Sequence, residues 1–357
     1  MPARRDPQKG KSRTRQLIRI GFEVLILGAL TVLVWLGRAT VIQSVRIVDR
    51  ADWIWLLAAC AFELLSMMAF ARTQRIVLRA AGVRASIPSV AATAMVGNAI
   101  SVSIPLVGPG AGSVFTYGRF RQLADDPAPA TWTLLISGLI SNLVWILLIA
   151  MGATVSGNAL AAFGGAFGGA AVVLTTVVGV LALHRPRARK LIIRGGARVL
   201  RSVQRVRGRP AGDPEDVTRT TLDELSAFRM RLRDWVQTVG LSVINWLSSA
   251  GCFVAAILAV RSSVPWTSVI LVYCAGATAN SFNITPGGLG VTEGVLTAGL
   301  VASGMKPGAA LGSALIFRLV SFWLVTLVGW IIYFGLRRSA ALRGRNTESD
   351  DHEKHDG

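Results

Sequence analysis

Long apolar runs alternate along this chain with short basic segments, and several runs match the thickness of a bilayer. A helix needs about 20 apolar residues to cross the hydrocarbon core. Runs of that length lie at 17–37, 53–71, 131–152, 160–183, 235–260 and 308–336. Two further apolar regions, 88–118 and 264–304, are interrupted by proline and glycine. The pattern therefore predicts six full spans and two broken segments.

The basic residues between the runs predict how the chain is oriented. Arginine and lysine are enriched in cytoplasmic loops, so the N-terminus (residues 4–19) and the C-terminal flank (337–345) are expected in the cytoplasm. Arginines also flank the first broken segment on both sides, at 72–84 and 119–121. That segment is therefore expected to enter and leave on the cytoplasmic side, and the second broken segment to do so from outside.

The broken segments occupy equivalent places in two halves of opposite direction. A span, a broken segment and a span follow one another from 53 to 152, and this order recurs from 235 to 336. G-N-A-I-S-V-S-I-P (97–105) resembles A-N-S-F-N-I-T-P (279–286). Inverted repeats with paired broken helices are typical of transporters, whose binding sites lie at the breaks. We predict an all-α polytopic membrane protein with two Gly/Pro-broken re-entrant segments in an inverted repeat.

The composition is that of a membrane protein, and this affects how the large positive charge is interpreted. Of 357 residues, 52% are hydrophobic and 16% charged, against about 45–50% and 25% in soluble domains. Lysine and arginine number 38 and acids 19, giving a net charge of +19. Because these cations flank apolar runs, they indicate contact with the bilayer and its anionic headgroups, and nucleic acid is not expected as a partner.

The same composition divides the chain into five predicted parts. They are a basic cytoplasmic tail (1–16), a first membrane half (17–183), a basic cytoplasmic linker (184–234), a second membrane half (235–336) and a cytoplasmic tail (337–357). Both termini are expected in the cytoplasm and the chain in the plasma membrane. A homo-oligomer is an open alternative to a monomer.

The second broken segment contains the sharpest signal in the chain. Residues 286–290 read P-G-G-L-G, and proline and glycine together stop helical hydrogen bonding. A helix beginning near Val291 presents its amides and positive dipole end to the break, an arrangement that favours anions. The candidate binding residues of this break are Asn280, Asn283, Thr285, Pro286, Gly287, Gly288 and Gly290. A structural kink without a ligand is the alternative.

Two charged residues near this break are the strongest candidates for function. Glu293 follows the break within a turn or so, and Arg318 lies about ten residues into the final span. A charge inside a membrane costs at least about 2.5–3.5 kcal/mol unless it is paired or hydrated. Either the two residues neutralise each other, or Arg318 binds a lipid phosphate while Glu293 orients it or carries a proton. Glu63 lies in mid-span, and pseudo-symmetry suggests Arg119 as its partner.

The first broken segment and the rare residues restrict the chemistry further. We expect the first break to be made by Asn98, Ser101, Ser103, Pro105, Gly108, Pro109, Gly110 and Gly112. The histidines, His184, His352 and His355, all fall in the linker or tail, so no embedded zinc site or histidine-based triad is expected. We predict no catalytic residues, metal or cofactor, and a protein that is not an enzyme.

At P-G-G-L-G-V-T-E-G (286–294) the chain resembles the transmembrane-domain family of lysylphosphatidylglycerol synthetase/flippases, over about residues 17–336. The P-x-x-G-P-G-A-G stretch (105–112) is similar to the family's first-half motif. That motif often continues with a Gly-Glu pair and an Arg, whereas here Ser113 follows Gly112, which leaves Arg119 as the match. Bifunctional members continue into an aminoacyl-transferase domain that is not expected here. The resemblance implies lipid translocation without aminoacylation.

The leading hypothesis is a flippase-like protein that translocates an anionic phospholipid or lipid-linked intermediate between leaflets. One alternative is an ion-coupled secondary transporter of a small solute, with Glu293 as its proton site. Another is a membrane enzyme or accessory subunit acting on lipid-linked glycans.

Overall fold

A computed structural model describes residues 51–124, 127–157, 230–281 and 285–338, with the isolated Gly28 and Thr31. Apart from Gly28 and Thr31, the predicted spans 17–37 and 160–183 lie outside the described residues, as do most of the linker and Asn283. All regular structure in the described part of the chain is helical.

Four described helices are long and apolar enough to cross a membrane. They are α1 (Trp53–Ala80), α4 (Pro127–Val155), α5 (Leu232–Ala259) and α8 (Pro307–Arg338), with 28, 29, 28 and 32 residues. Each one coincides with a predicted span, and each presents exposed apolar side chains, such as Leu57, Leu147 and Ile331, on its outer surface. The chain is an all-α, multi-pass membrane protein, as the sequence predicts.

Helix α1 continues well past the end of its apolar run at residue 71. The additional turns contain Arg72, Gln74, Arg75 and Arg79, which are favourable helix formers. The helix ends where Gly82 adopts a φ of 85°, a left-handed conformation that glycine adopts without a steric penalty. Its polar end therefore extends the helix beyond the length that hydropathy alone indicates.

Four shorter helices form two hairpins. The first consists of α2 (Ile87–Ser103) and α3 (Gly108–Ala124), with 17 residues each. The second consists of α6 (Val269–Ser281) and α7 (Val291–Ala302), with 13 and 12 residues. All four are shorter than the 20 or so residues of an average span. In both hairpins the two helices pack against each other.

The first hairpin begins and ends at the same end of the molecule. One apolar cluster joins Val83 and Val90, where α2 begins, to Phe120 near the end of α3 and Ala130 near the start of α4. Leu78, in the last turn of α1, belongs to the same cluster. This arrangement is the one expected of a re-entrant segment.

The first break is shorter than the sequence suggests. Only residues 104–107 are non-helical, and Leu106 there has a φ of 59°. Asn98, Ser101 and Ser103 belong to α2, whereas Gly108, Pro109, Gly110 and Gly112 form the first turns of α3. Proline is tolerated at Pro109 because the first amides of a helix have no intrahelical acceptor. Of the eight residues predicted to make the break, only Pro105 lies in it, and the prediction is wrong for the other seven.

Glycine lets the two helices of the first hairpin approach closely. A Cβ added at Gly112 would lie 2.0 Å from the Ser101 hydroxyl and 2.3 Å from the Gly97 carbonyl oxygen. A Cβ at Gly97 would lie 2.4 Å from Thr116 Oγ1. Such small-residue contacts are a principal means of packing helices in membranes.

We expect Gly112→Ala to destabilise the protein by about 1–3 kcal/mol, because the new methyl group overpacks a backbone contact. Gly118→Ala on the same helix is the matched control, since no heavy atom lies within 4 Å of the added Cβ. Thermal unfolding of the purified variants in one detergent measures the difference. Equal melting temperatures would contradict the close packing of α2 and α3.

The two halves pack into one unit. Helix α1 lies along α5, and their interface belongs to a large core that includes Phe253, Tyr273, Leu296 and Phe317. Helix α8 also reaches the first hairpin, because a Cβ at Gly329 would lie 2.6 Å from the Met95 carbonyl oxygen. Helix α2 of the first half also contacts residues 286–288, so elements of both halves border the second break.

Candidate functional site

The second hairpin is broken at the predicted place. Helix α6 ends at Ser281, α7 begins at Val291, and Pro286–Gly288 form a single 3₁₀ turn between them. Gly287, Gly288 and Gly290 have φ values of 61°, 66° and 82°. A side chain is strongly disfavoured in this left-handed region. This turn, which we call the hairpin tip, also contacts α2 of the first half.

Arg318 extends from α8 to the hairpin tip and is only 3% exposed. Its Nε donates to Glu293 Oε1 at 3.1 Å and its Nη1 to Asn280 Oδ1 at 3.3 Å. Its Nη2 donates to the carbonyl oxygen of Gly287. We call these four residues the Arg318 network. One guanidinium therefore joins α6, the hairpin tip, α7 and α8.

Glu293 uses both carboxylate oxygens within the protein. Oε1 accepts from Arg318, and Oε2 accepts from the backbone amide of Gly290 at 2.7 Å. The second bond caps the N-terminus of α7, where a carboxylate is also stabilised by the helix dipole. Glu293 and Arg318 therefore neutralise each other in an ion pair, which is the first of the two arrangements predicted from the sequence.

Phe322 completes the site, and the sequence did not single it out. The guanidinium carbon of Arg318 lies 4.2 Å from the centre of its ring, a cation–π contact. A Cβ at Gly287 would lie 2.1 Å from that ring, so the glycine is required by packing as well as by its φ. Phe322 follows Arg318 by four residues and therefore shares its helix face, which is the signal that could have identified it.

A π-helical turn accompanies this site. Residues Leu319–Leu324 of α8 are π-helical, immediately after Arg318. Such turns occur mostly as single insertions in α-helices and frequently at functional sites.

The remaining candidates of the second break serve its local geometry. Thr285 donates from Oγ1 to the Leu289 carbonyl oxygen at 2.9 Å, across the tip. Pro286 and Gly288 are buried in the 3₁₀ turn, and a Cβ at Gly288 would lie 2.9 Å from Asn280 Oδ1. Asn283 lies outside the described residues.

The candidate residues of the first half make their described contacts within that half. Arg119 donates from Nη1 to Gln122 at 3.0 Å, on the same helix. Gly112 packs between Ser101 and Gly97, Gly110 faces open space, and Pro105 lies in the short break. Asn98 is a partly buried residue of α2. The first half therefore supplies no counterpart of the Arg318 network among the described residues.

The predicted pairing of Glu63 with Arg119 is wrong. Glu63 is 5% exposed and interacts with the Cys252 thiol, because α1 packs along α5 and turns this side chain towards it. Its Oε2 has no hydrogen-bond partner in the described part of the chain. One turn later, Ser66 donates a hydrogen bond to Asn245 Oδ1 at 2.9 Å, which links α1 to α5.

An apolar groove lies beside the second break. Its volume is about 410 Å³, and α4, α6 and the first residue of α7 line it. The lining side chains are Ile149, Leu271, Cys274, Ala275, Thr278, Ala279 and Val291. Ala275 and Val291 are exposed on the surface. The apolar groove is therefore open at the surface and ends next to the helix break.

Comparison with known proteins agrees with this architecture. The UPF0104 membrane protein PH1989 of Pyrococcus horikoshii is 21% identical over 327 residues, covering 88% of this chain and 97% of that protein. The sequence pattern of the lysylphosphatidylglycerol synthase TM region matches residues 20–329, which include both hairpins. The chain belongs to the lysylphosphatidylglycerol synthase TM-region family.

Proposed function

We propose that this protein moves the phosphate-bearing headgroup of an anionic phospholipid or lipid-linked intermediate between leaflets, without a catalytic step. One observation carries the proposal. A buried guanidinium is bonded to the tip of a broken hairpin, directly beside an apolar groove that opens on the surface.

Arg318 is suited to exchange protein partners for a phosphate. Guanidinium groups bind phosphate with two parallel hydrogen bonds. Two of the three partners of Arg318 are neutral, namely the Asn280 amide oxygen and the Gly287 carbonyl oxygen. A phosphate that displaced them would keep Arg318 paired, and it would release the hairpin tip from α8. In the proposed cycle, Glu293 remains on the N-terminus of α7.

The groove supplies a place for the acyl chains. A lipid whose chains lie against Leu271 and Ala275 has its headgroup near Val291, the first residue after the break. The chains then remain in hydrocarbon while only the headgroup follows the polar path. Because both Glu293 oxygens are engaged, the geometry favours this reading over one in which Glu293 is a freely exchanging proton site.

The test is a lipid-exposure assay with the purified protein in phosphatidylcholine vesicles. The vesicles carry a trace of fluorescently labelled phosphatidylglycerol, and a membrane-impermeant quencher reports the labelled headgroups that reach the outer leaflet. We expect exposure to be faster than in protein-free vesicles. Arg318→Lys keeps the charge near Glu293 but loses the planar donors, so we expect a rate about tenfold lower, as for the loss of one charge-assisted hydrogen bond.

Arg338→Lys is the matched control, because Arg338 is exposed at the end of α8. Size-exclusion profiles establish that each variant is folded. A wild-type rate equal to that of empty vesicles, or a folded Arg318→Lys variant with the wild-type rate, would refute the proposal.

A further inference from the structure

A second basic site lies at the other hairpin, where α1 ends and α2 begins. There the chain lines a cavity of about 530 Å³ that is open to the surface. Its lining residues are Arg75, Arg79, Gly82, Val83, Arg84 and Ala85. We call it the arginine pocket. No acidic side chain is among these lining residues.

Local structure brings the three arginines together. Arg75 and Arg79 are four residues apart on α1 and therefore share one helix face. Gly82, with a φ of 85°, reverses the chain and returns Arg84 to the same place. The Arg75 Nε donates to the Ala85 carbonyl oxygen at 2.9 Å, which fixes this half-buried guanidinium against the turn. The pocket is thus a built concavity with one anchored cation.

The arginines of the pocket carry charges that no described ion pair balances. Within the described part of the chain, none of its three arginines forms an ion pair. Like charges this close repel each other, and an anion bound between them relieves the repulsion. The first turn of α2 follows directly, with Ser86 as its N-cap, and adds the positive end of a helix dipole.

We infer that the arginine pocket binds a phosphate group, carried either by an anionic lipid headgroup or by a small soluble phosphate. Guanidinium groups at several angles suit the several oxygens of a phosphate. Val83, Gly82 and Ala85 add an uncharged wall beside the cations. The site does not include the Arg318 network and requires no translocation, so the inference is independent of the proposed function.

The experiment compares two triple variants of the full chain that remove equal charge. The first is Arg75→Gln/Arg79→Gln/Arg84→Gln. The matched control is Arg72→Gln/Arg121→Gln/Arg338→Gln, which alters exposed arginines outside the pocket. Each protein is placed in phosphatidylcholine nanodiscs with a trace of fluorescent phosphatidylglycerol, and binding is measured by energy transfer from the protein's tryptophans. Circular dichroism and size-exclusion chromatography establish the fold.

We expect the pocket variant to bind phosphatidylglycerol at least about tenfold more weakly than wild type, and the control to stay within about twofold. Competition with inorganic phosphate and glycerol phosphate identifies the source. Displacement of the lipid by these anions indicates a site for soluble phosphates, whereas retention of the lipid indicates a headgroup site. Equal losses in the two variants would show diffuse surface charge and overturn the inference, as would wild-type binding no stronger to phosphatidylglycerol than to labelled phosphatidylcholine.

A variant that does not fold would be replaced by Arg79→Gln/Arg84→Gln, which leaves the anchored Arg75 and its bond to Ala85 in place. The expected loss is then several-fold, with Arg72→Gln/Arg121→Gln as its control. Unchanged binding in this folded double variant would also overturn the inference.

Discussion

Replacing Arg318 by glutamine is expected to destabilise the protein by about 3–5 kcal/mol, the cost of breaking a buried ion pair on one side. Glu293 would keep its bond to the Gly290 amide but lose its only described cation. The Gly287 carbonyl oxygen and the Asn280 amide oxygen would lose a donor in the same step. The effect is measured as the shift of the unfolding midpoint in a mild detergent.

The double variant Glu293→Gln/Arg318→Gln distinguishes the loss of the ion pair from the cost of leaving one buried charge unpaired. It leaves no uncompensated charge at the hairpin tip, so we expect it to recover most of the lost stability. Arg121→Gln, an exposed arginine near the end of α3, serves as the surface control. A single Arg318→Gln variant as stable as this control would contradict the network, as would a double variant less stable than the single one.

The network connects stability to the proposed function. A buried ion pair is seldom the most stabilising way to fill a core, since apolar residues of the same volume often perform as well or better. Arg318 nevertheless holds one carboxylate and two neutral oxygens at a helix break. An arrangement that is poor as a source of stability is well suited to exchanging partners, which is what the proposed translocation requires.

The second break could be predicted from the sequence because its signal is local. Proline followed by three glycines within five residues removes a donor and permits positive φ, whatever the surrounding structure. Glu293 and Arg318 could also be identified from the sequence, because an unpaired charge in hydrocarbon is costly. Their contact across 25 residues follows from the short connection at 303–306, which places α8 alongside α7.

The first break was misjudged because glycine has two uses in a membrane helix. The stretch from Gly108 to Gly112 reads as a helix breaker, yet it lies within α3, and Gly112 provides room for α2 to approach. Composition does not distinguish a glycine needed for its φ from one needed for its missing side chain. Only the position of the neighbouring helix decides between them.

The partner of Glu63 could not be deduced from pseudo-symmetry. Helix α1 packs along α5, the first described helix of the second half, so a residue of α1 can face that helix rather than its own hairpin. Glu63 accordingly interacts with Cys252, while Arg119 bonds to its own helix neighbour Gln122. The rotation of a helix about its axis depends on tertiary packing, and a nearly uniform apolar pattern does not specify it.

Gly287→Ala is the second substitution with a large expected effect, and it tests the hairpin tip without removing a charge. The left-handed backbone costs a non-glycine residue about 1–2 kcal/mol. The added methyl group would also lie 2.1 Å from the Phe322 ring, and overpacking of this kind costs about 1–3 kcal/mol. Phe322 cannot move away freely, because it stacks on Arg318. We therefore expect both costs to be incurred together.

Two other glycines separate these costs. Gly304 has a φ of 90° and open space around its added Cβ, so Gly304→Ala reports the backbone cost alone. Gly294 lies within α7 with open space and no positive φ, so alanine there is expected to be neutral or slightly stabilising. We expect the unfolding midpoint to be highest for Gly294→Ala, lower for Gly304→Ala and lowest for Gly287→Ala. If Gly287→Ala and Gly304→Ala unfolded at the same temperature, the result would contradict the packing of Phe322 against the hairpin tip.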